Sequence, residues 1–587
     1  MQAFADLYDA LDASTATNDK VAALVRYVDS AAADDAAWAV YFLAGGKPRQ
    51  LVPTAVLRST ACRLAGVDDW LFDECYQAVG DLAETIALIL PAGGRNSTVG
   101  LAAWLQDRLL PLRGLAPQEQ SERLAGCWNE LDAAGRFLLI KLIGGGLRVG
   151  VSKLLVQRAL ALHTALDAKL LAQRLVGWTD ARATPSAARW QALVAAAGTD
   201  GAPAGQPYPF FLAHSLKDAP QSEPQALGDV GDWLVEWKYD GIRAQLVKRA
   251  GQVWIWSRGE ELVTERFPEV VAQAAALPDG TVLDGELRVW LAGSDAPAPF
   301  KLLQQRIGRK TVGKKLLADA PVCFMAYDLL EQGGADLREH PQSERRLRLQ
   351  DLRLQDLRLQ DLRLQDQRVD STLRLSPQVC AADWPAFAAL REQSRQRGVE
   401  GFMLKQMGSR YGTGRSKSDG IWWKWKVEPL SVDAVLIYAQ AGHGRRASVY
   451  TDYTFAVWSR PPASADAAQA VVESIVRRVA APRLDTGALQ LLPFAKAYSG
   501  LSDEEFKAVD RVVRATTLEK FGPVRSVRPT LVFEIGFEGI GLSPRHKSGV
   551  AVRFPRMLRL RSDKLLHEAD ALQTLHDLIA GPAAAAR

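Results

Sequence analysis

Residues 198–209, GTDGAPAGQPYP, separate two kinds of sequence. Gly and Pro both oppose continuation of a helix, so this stretch reads as a linker or boundary loop. Before it, residues 1–200 are rich in Ala, Leu and Arg, lack extended period-2 runs, and show helical spacings such as Leu154, Leu155, Ala159 and Leu162. An all-helical block is expected there. After it, short alternating runs at Trp233–Tyr239, Val253–Ser257, Thr281–Val289 and Val322–Tyr327 predict strands, interspersed with helices at 265–276 and 383–397. A second break comes near Val427–Ser431, where EPLS interrupts the pattern after IWWKWKV. Beyond it DAVLIYA, RASVYTDYTFAVW and TLVFEIGF are again strand-rich and fit a small barrel. The fold class this predicts is multidomain α+β, with boundaries at 1–203, 204–428 and 429–587.

A length of 587 residues leaves room for about three or four domains, each able to bury its own core. Hydrophobic residues at 48% and charged residues at 24% exclude a mainly disordered or collagen-like chain. The net charge of +5 is too small to announce a polyanion partner, but its distribution is uneven. Residues 1–100 carry 7 basic and 13 acidic side chains, residues 101–200 carry 12 and 8, so the basic excess is local. The five cysteines are scattered, with no CxxC pair for zinc or redox chemistry, and fit a reducing cytosol. The start, MQAFADLYDALDAS, has early acids where an export signal needs a basic segment and a long apolar one. The apolar stretch Ile86–Leu90 stops at Pro91, far short of the ~20 residues that span a bilayer.

Residues 347–366 repeat LRLQD four times. A five-residue period on a helix rotates each copy by about 140°, so the leucines form no stripe and no coiled-coil seam. The composition favours helix, and Arg348/Asp351 and later copies make i,i+3 pairs. A protruding solvated helix and a disordered insert both fit, neither with a catalytic role.

The strongest chemical signal is EWKYDGIR at 236–243. On a strand, Glu236, Lys238 and Asp240 share a face, which sets a lysine between two carboxylates ahead of a glycine that lets backbone approach a ligand. LDGEL places Asp284 and Glu286 on one strand face, EGFMLK adds Glu400 and Lys405, and IWWKWK brings Lys424 and Lys426 to one side with Trp423 and Trp425 behind them. Carboxylates for a divalent ion and lysines for a polyphosphate thus recur on separate strands. Strict alternation puts Lys405 on the opposite face from Glu400, so both can line one pocket only if Gly401 or its neighbours bulge the strand.

KYDGIR, SRGEE at 257–261, LDGE, YDLL at 327–330, EGFMLK, WWKWK and the C-terminal RFPRMLRLRSDK at 553–564 resemble the ordered motif series of ATP-dependent DNA ligases. GHGRRA at 442–447 and SPRHKSG at 543–549 resemble that family's OB-fold domain, and GGGLRVGVSKLLVQRALA at 144–161 its helical DNA-binding domain. The resemblance implies a helical DNA-binding domain at 1–203, a nucleotidyltransferase (adenylation) domain at 204–428 and an OB-fold domain at 429–587. It implies Lys238 as the nucleophile that takes AMP from ATP, and ATP contacts from Glu236, Arg243, Arg258, Glu286, Tyr327, Lys405, Arg415, Lys424 and Lys426. Glu286 and Glu400 would hold Mg²⁺ or Mn²⁺. Arg148 and Lys153 would contact DNA phosphates, and Arg553, Arg556 and Lys564 would form the terminal motif. The implied partner is nicked duplex DNA, bound by a monomer; the Ala/Arg-rich composition suggests a bacterial source, so the expected place is the bacterial cytoplasm and, when on DNA, the nucleoid.

KxDG is shared by RNA ligases and GTP-dependent capping enzymes, the main alternatives, but the helical block and RFPR motif resemble DNA ligases specifically. A non-catalytic DNA scaffold conflicts with a complete set of Lys238, Glu286, Glu400, Lys424 and Lys426. NAD-dependent ligases carry a four-cysteine zinc module that this chain lacks. GGGLRVGVSK lacks the GxxxxGK[ST] spacing of a phosphate loop and reads as a turn between helices. His443 and His546 have no metal-site or triad-like neighbours in sequence.

Overall fold

A computed structural model describes the chain except at residues 15, 49, 95–96, 145–146, 148, 181–183, 197–204, 220–222, 295, 308, 310–311, 355–371, 416–419, 443–448, 484–485 and 581–587. The chain packs as two compact units. One comprises Met1–Val52, Arg95–Ala116 and Leu138–Val427; the other Pro53–Gly94, Pro117–Phe137 and Glu428–Arg587.

The first unit begins with helices, as the Ala- and Leu-rich texture predicts. Gln2–Ala13, Thr17–Ser30 and Ala33–Leu43 are followed by Lys153–Thr164, Ala168–Arg174 and Ala187–Val194. Ser152 and Ser186 cap two of these by accepting hydrogen bonds from the backbone N–H three residues on, satisfying a donor the helix itself leaves open. Every residue from Ala36 to Leu43 is buried, so that helix is apolar all round.

Seven longer strands follow: β1 Trp233–Tyr239, β2 Ile242–Arg249, β3 Gln252–Ser257, β4 Thr281–Val289, β5 Val322–Gln332, β6 Val399–Gln406 and β7 Trp422–Lys426. They form two sheets. One runs β3-β2-β4-β5, with Ala335–Asp336 pairing the end of β5 and Leu373–Leu375 lying parallel to it. The other runs His214–Ser215, β7, β6, β1. The predicted helices appear in shortened form at Pro268–Ala274 and Trp384–Glu392. Alternation sorts the second sheet as expected. Trp233, Val235, Trp423 and Trp425 join Phe402, Leu404, Trp384 and Phe387 in a core, which leaves Glu236, Lys238, Lys424 and Lys426 for the other face.

The LRLQD repeat departs from expectation where it begins. Gln342–Asp351 is a helix in which Leu347 is exposed, but Leu349 and, from the second copy, Leu354 are buried in the core of the larger sheet. Leu349 lies three, four and seven residues beyond Arg346, Arg345 and Gln342, all buried, so a face forms within this helix although none runs through the repeat. Arg348 pairs with Glu344 at 2.7 Å, one turn earlier, in place of Asp351. The later copies lie outside the described residues.

The second unit holds helices Thr54–Ala65, Asp69–Val79, Leu82–Ile89 and Pro117–Glu130, the first two ended by Gly66 and Gly80 in the left-handed conformation. Its sheet is built on β8 Leu430–Ala441, which pairs with β9 Tyr450–Trp458 and onward to β10 Leu491–Ala497. On its other edge β8 pairs with β12 Val524–Val527, itself paired with β11 Thr517–Phe521, and with β13 Val532–Phe537, which carries β14 Arg556–Leu560. Val432, Phe455, Phe494, Phe533 and Ile535 fill its core.

Candidate active site

Strands β1, β6 and β7 lie side by side with β6 in the middle. The register pairs Trp237 with Phe402 but Tyr239 with Val399, so β6 holds one extra residue opposite Lys238. That is the bulge the alternation argument requires, and Gly401 makes it possible. Its φ is +126°, and a Cβ there would stand 2.3 Å from the Trp425 carbonyl oxygen. Glu400 is thereby turned to the side of β1 that carries Glu236 and Lys238. It accepts a hydrogen bond from Lys238 and lies 3.2 Å from Lys426 Nζ, while Lys405, farther along β6, reaches Glu236 at 2.6 Å.

The site has a buried end. Glu236 and Lys405 are each 1% exposed. Lys405 Nζ also donates to the Tyr327 carbonyl at 3.0 Å and sits 4.5 Å and 4.6 Å from the ring centroids of Tyr327 and Trp422. Arg346 donates to Glu236 at 3.2 Å. Nearby, Arg243 grips Asp284 through Nε at 3.2 Å and Nη2 at 2.7 Å, and Asp284 accepts further bonds from Tyr411 at 2.7 Å and Tyr327 at 3.3 Å. Arg345 grips Asp328 at 2.8 Å and 3.1 Å. Each buried charge therefore has an opposite charge and a hydrogen bond, which its removal from water demands.

The other end is open and richer in cations. Lys238, Lys424 and Lys426 are partly exposed, and Arg258 and Arg415 are exposed. Burial, and then Arg415, Lys238, Lys426 and Arg258, lower the pKa of the Lys424 amine. Burial pushes Glu400 upward, but Lys238 and Lys426 outweigh it and hold this carboxyl below its usual range. Glu286 goes the other way: burial raises it to about 7, against the pull of Lys238, Arg243 and Arg288 and with a further push from Glu400. Among the described residues no group of three or more His, Cys, Asp or Glu side chains converges. The Glu286 and Glu400 carboxylates instead suit a cation that takes its remaining ligands from phosphate oxygens and water, as Mg²⁺ does.

Other expected residues lie apart from these strands. Lys153 is bonded to both Glu260 oxygens, in the SRGEE segment, and to the Leu175 carbonyl at 2.9 Å. In this structure it joins the helices to the β3 turn. Arg148 and His443 lie outside the described residues. The terminal-motif residues belong to the second unit. There Arg553 ends the strand Val550–Arg553, Arg556 lies 3.6 Å from Glu538, and Lys564 lies 2.6 Å from Asp433, which Arg561 also grips at 2.8 Å.

Comparison with known proteins bears on what such a site does. A family model described as the DNA ligase N terminus matches residues 1–161, and one described as the ATP dependent DNA ligase domain matches residues 211–426. A probable DNA ligase of Koribacter versatilis is 30% identical over 98% of this chain and 96% of its own length. The chain belongs to the ATP-dependent DNA ligase family. A probable DNA ligase of Opitutus terrae is also 30% identical, over 97% of this chain and 61% of its own length. The solved structure titled Pmar-Lig_Pre matches 95% of this ligase and 99% of its own chain with a TM-score of 0.58 at 13% identity, a likeness of fold alone. The protein is thus an enzyme, a DNA ligase using ATP, of mixed helix and sheet with a helical N-terminal region. Among its described residues no helix is long and apolar enough to cross a membrane.

The motif series overlooked Arg345, Arg346, Asp328 and Tyr411, which surround the buried end of the ligase site. Asp328 stands inside YDLL and Tyr411 in SRYGTGR, but nothing local marks their partners. The two arginines open a charged run that reads as a solvated helix face.

Proposed function

We propose that this ligase seals 5′-phosphate/3′-hydroxyl nicks in duplex DNA through a covalent lysyl-AMP and an adenylated DNA end. The observation that carries the reading is the open end of the site, where Lys238 stands on one wall with Glu400, Lys424 and Lys426. In the first step the Lys238 amine, having shed a proton, bonds to the α-phosphorus of ATP, and the bond from that phosphorus to pyrophosphate breaks. Lys238 must leave its ion pair with Glu400 to do so, because the amine has to turn a lone pair toward phosphorus. AMP then passes to the 5′-phosphate of the nick, and the 3′-hydroxyl displaces AMP to close the strand.

The resemblance supplies the remaining roles. Glu236 meets the adenine edge, Tyr327 stacks on the base, Arg243 and Arg258 serve the ribose and the nucleotide or nick phosphate, Glu286 serves the ribose, and Arg415 is a further ATP contact. Lys405, Lys424 and Lys426 complete the nucleotide contacts. The cationic wall suits this work, since each transfer gathers negative charge around phosphorus, where fixed cations help more than a general base. Glu286 and Glu400 would hold Mg²⁺ or Mn²⁺, which supplies further positive charge to the phosphates. The domains are assigned as 1–203 for DNA binding, 204–428 for adenylation and 429–587 as the OB fold, in a monomer acting on DNA in the bacterial cytoplasm. Arg148 and Lys153 are assigned to DNA phosphates, Lys153 after release from Glu260, and Arg553, Arg556 and Lys564 to the ATP pyrophosphate.

The test is label transfer. Incubated with ATP labelled at the α-phosphate, the protein should retain the label covalently, and nicked DNA with a 5′-phosphate should discharge it and be sealed. Retention of label from GTP or from NAD in its place, or discharge by nicked RNA alone, would overturn the reading.

A further inference from the structure

The helix Gln342–Asp351 sends two consecutive arginines to its buried side. Arg345 closes on Asp328 of β5, next to Tyr327. Arg346 crosses 110 residues of sequence to reach Glu236 on β1, Nη1 to Oε1 at 3.2 Å, and its Nη2 donates to the Ser376 carbonyl at 2.6 Å. Ser376 is itself fixed to β5, its N–H donating to the Ala326 carbonyl at 2.7 Å. The other Glu236 oxygen, Oε2, is ion-paired with Lys405 Nζ at 2.6 Å and has no hydrogen-bond donor among the described residues. Lys405 alone would neutralise Glu236. A second buried cation is superfluous for charge, and what a forked guanidinium anchored at its far side adds is direction.

We propose that Arg346 is a positioning residue that sets the ligase's choice of base. By holding Oε1 it fixes the Glu236 carboxylate with Oε2 free to accept from the exocyclic amine of adenine and opposed to the carbonyl oxygen that guanine carries at that position. This rests on the reading above that Glu236 meets the adenine edge. An ionised carboxylate only accepts hydrogen bonds, so an amine completes it and a carbonyl sets lone pair against lone pair. A site built to bond one polar group discriminates strongly against an analogue without it. Arg346 acts through Glu236 and needs no contact with the nucleotide.

The experiment measures KM and kcat for self-adenylation of the full-length enzyme with ATP, GTP and purine riboside triphosphate, which bears hydrogen in place of the amine. Arg346→Met should raise KM for ATP about tenfold and leave kcat within about twofold, the scale of one charge-assisted hydrogen bond. KM for purine riboside triphosphate should not move, so the preference for ATP over it shrinks by the same factor. Arg346→Lys should recover part of the loss and, if the Met variant does not fold, carries the test by an ATP preference reduced about threefold or more. Glu236→Gln should remove the preference, and adding Arg346→Met to it should weaken ATP no further. A loss equal for all three nucleotides, or a fall in kcat with selectivity intact, overturns the role of Arg346. If Glu236→Gln leaves the preference unchanged, the assignment of Glu236 fails first; if it abolishes the preference while both Arg346 variants keep it, only the positioning role fails.

Discussion

The two ends of the candidate site are built from the same residue types and behave as opposites. At the buried end, Glu236 with Lys405 and Arg346, Asp284 with Arg243, and Asp328 with Arg345 are closed pairs with almost no water. At the open end Lys238, Lys424, Lys426, Arg258 and Arg415 outnumber Glu286 and Glu400; burial raises the Glu286 carboxyl and lowers the Lys424 amine, while Lys238 and Lys426 overcome burial to hold Glu400 low. Closed pairs make a rigid template, since breaking one leaves a buried charge alone. An excess of partly hydrated cations instead draws in something anionic. Closed ion pairs and a cationic excess thus occupy different ends of one site.

The sharpest way to test that separation is Lys238→Ala. Lysyl-AMP formation should fall by on the order of 10⁴-fold or more, the scale for losing a nucleophile, while a nick already carrying 5′-AMP is still sealed slowly by the cations that remain. AMP labelling of the variant would remove Lys238 from the chemistry. Next in size is Gly401→Ala, which strikes both ends at once because the bulge orients Glu400 and Lys405 together. Strain at φ +126° and the clash with the Trp425 carbonyl should cost about 2–4 kcal/mol in urea unfolding and impair adenylation. Unaltered stability would show that the strand can relax and that the bulge is not required. The smallest effect belongs to pH. Folding raises the Glu286 carboxyl from its ordinary range to about 7, so the folded state binds the proton more tightly and stability without nucleotide should fall as pH rises from about 4.5 to 7. Relative to Glu286→Gln, the native protein should lose on the order of 1–2 kcal/mol between pH 5 and pH 8 in denaturant titrations. A flat difference would place Glu286 in a wetter setting than its raised pKa implies.

What was legible in the sequence was whatever short-range geometry controls. Trp233–Tyr239 and Thr281–Val289 are strands over the predicted residues, because alternation and β-branched or aromatic content act within a few residues. The need for a bulge near Gly401 also followed from parity alone. Arg346 was opaque, since its meaning depends on Glu236, far away in sequence and brought near only by packing of a helix on the sheets. The partner Lys153 takes was opaque for a related reason: Glu260, in the β3 turn, lies 107 residues away in sequence. The burial of Leu349 is not legible in the period of the repeat, because the helix that holds it starts before the first copy.

That helix leaves the repeat in an unusual evolutionary position. Leu354 at its near side and Leu373 at its far side are both buried in one hydrophobic core, so the intervening chain starts and finishes on fixed ground. The entropy of joining two fixed points grows only with the logarithm of length, roughly 0.6 kcal/mol for each doubling. Gaining or losing a five-residue copy by slippage at replication keeps the reading frame and moves neither anchor. A change in copy number should therefore cost folding little, while Arg345 and Arg346, just upstream, keep their buried partners.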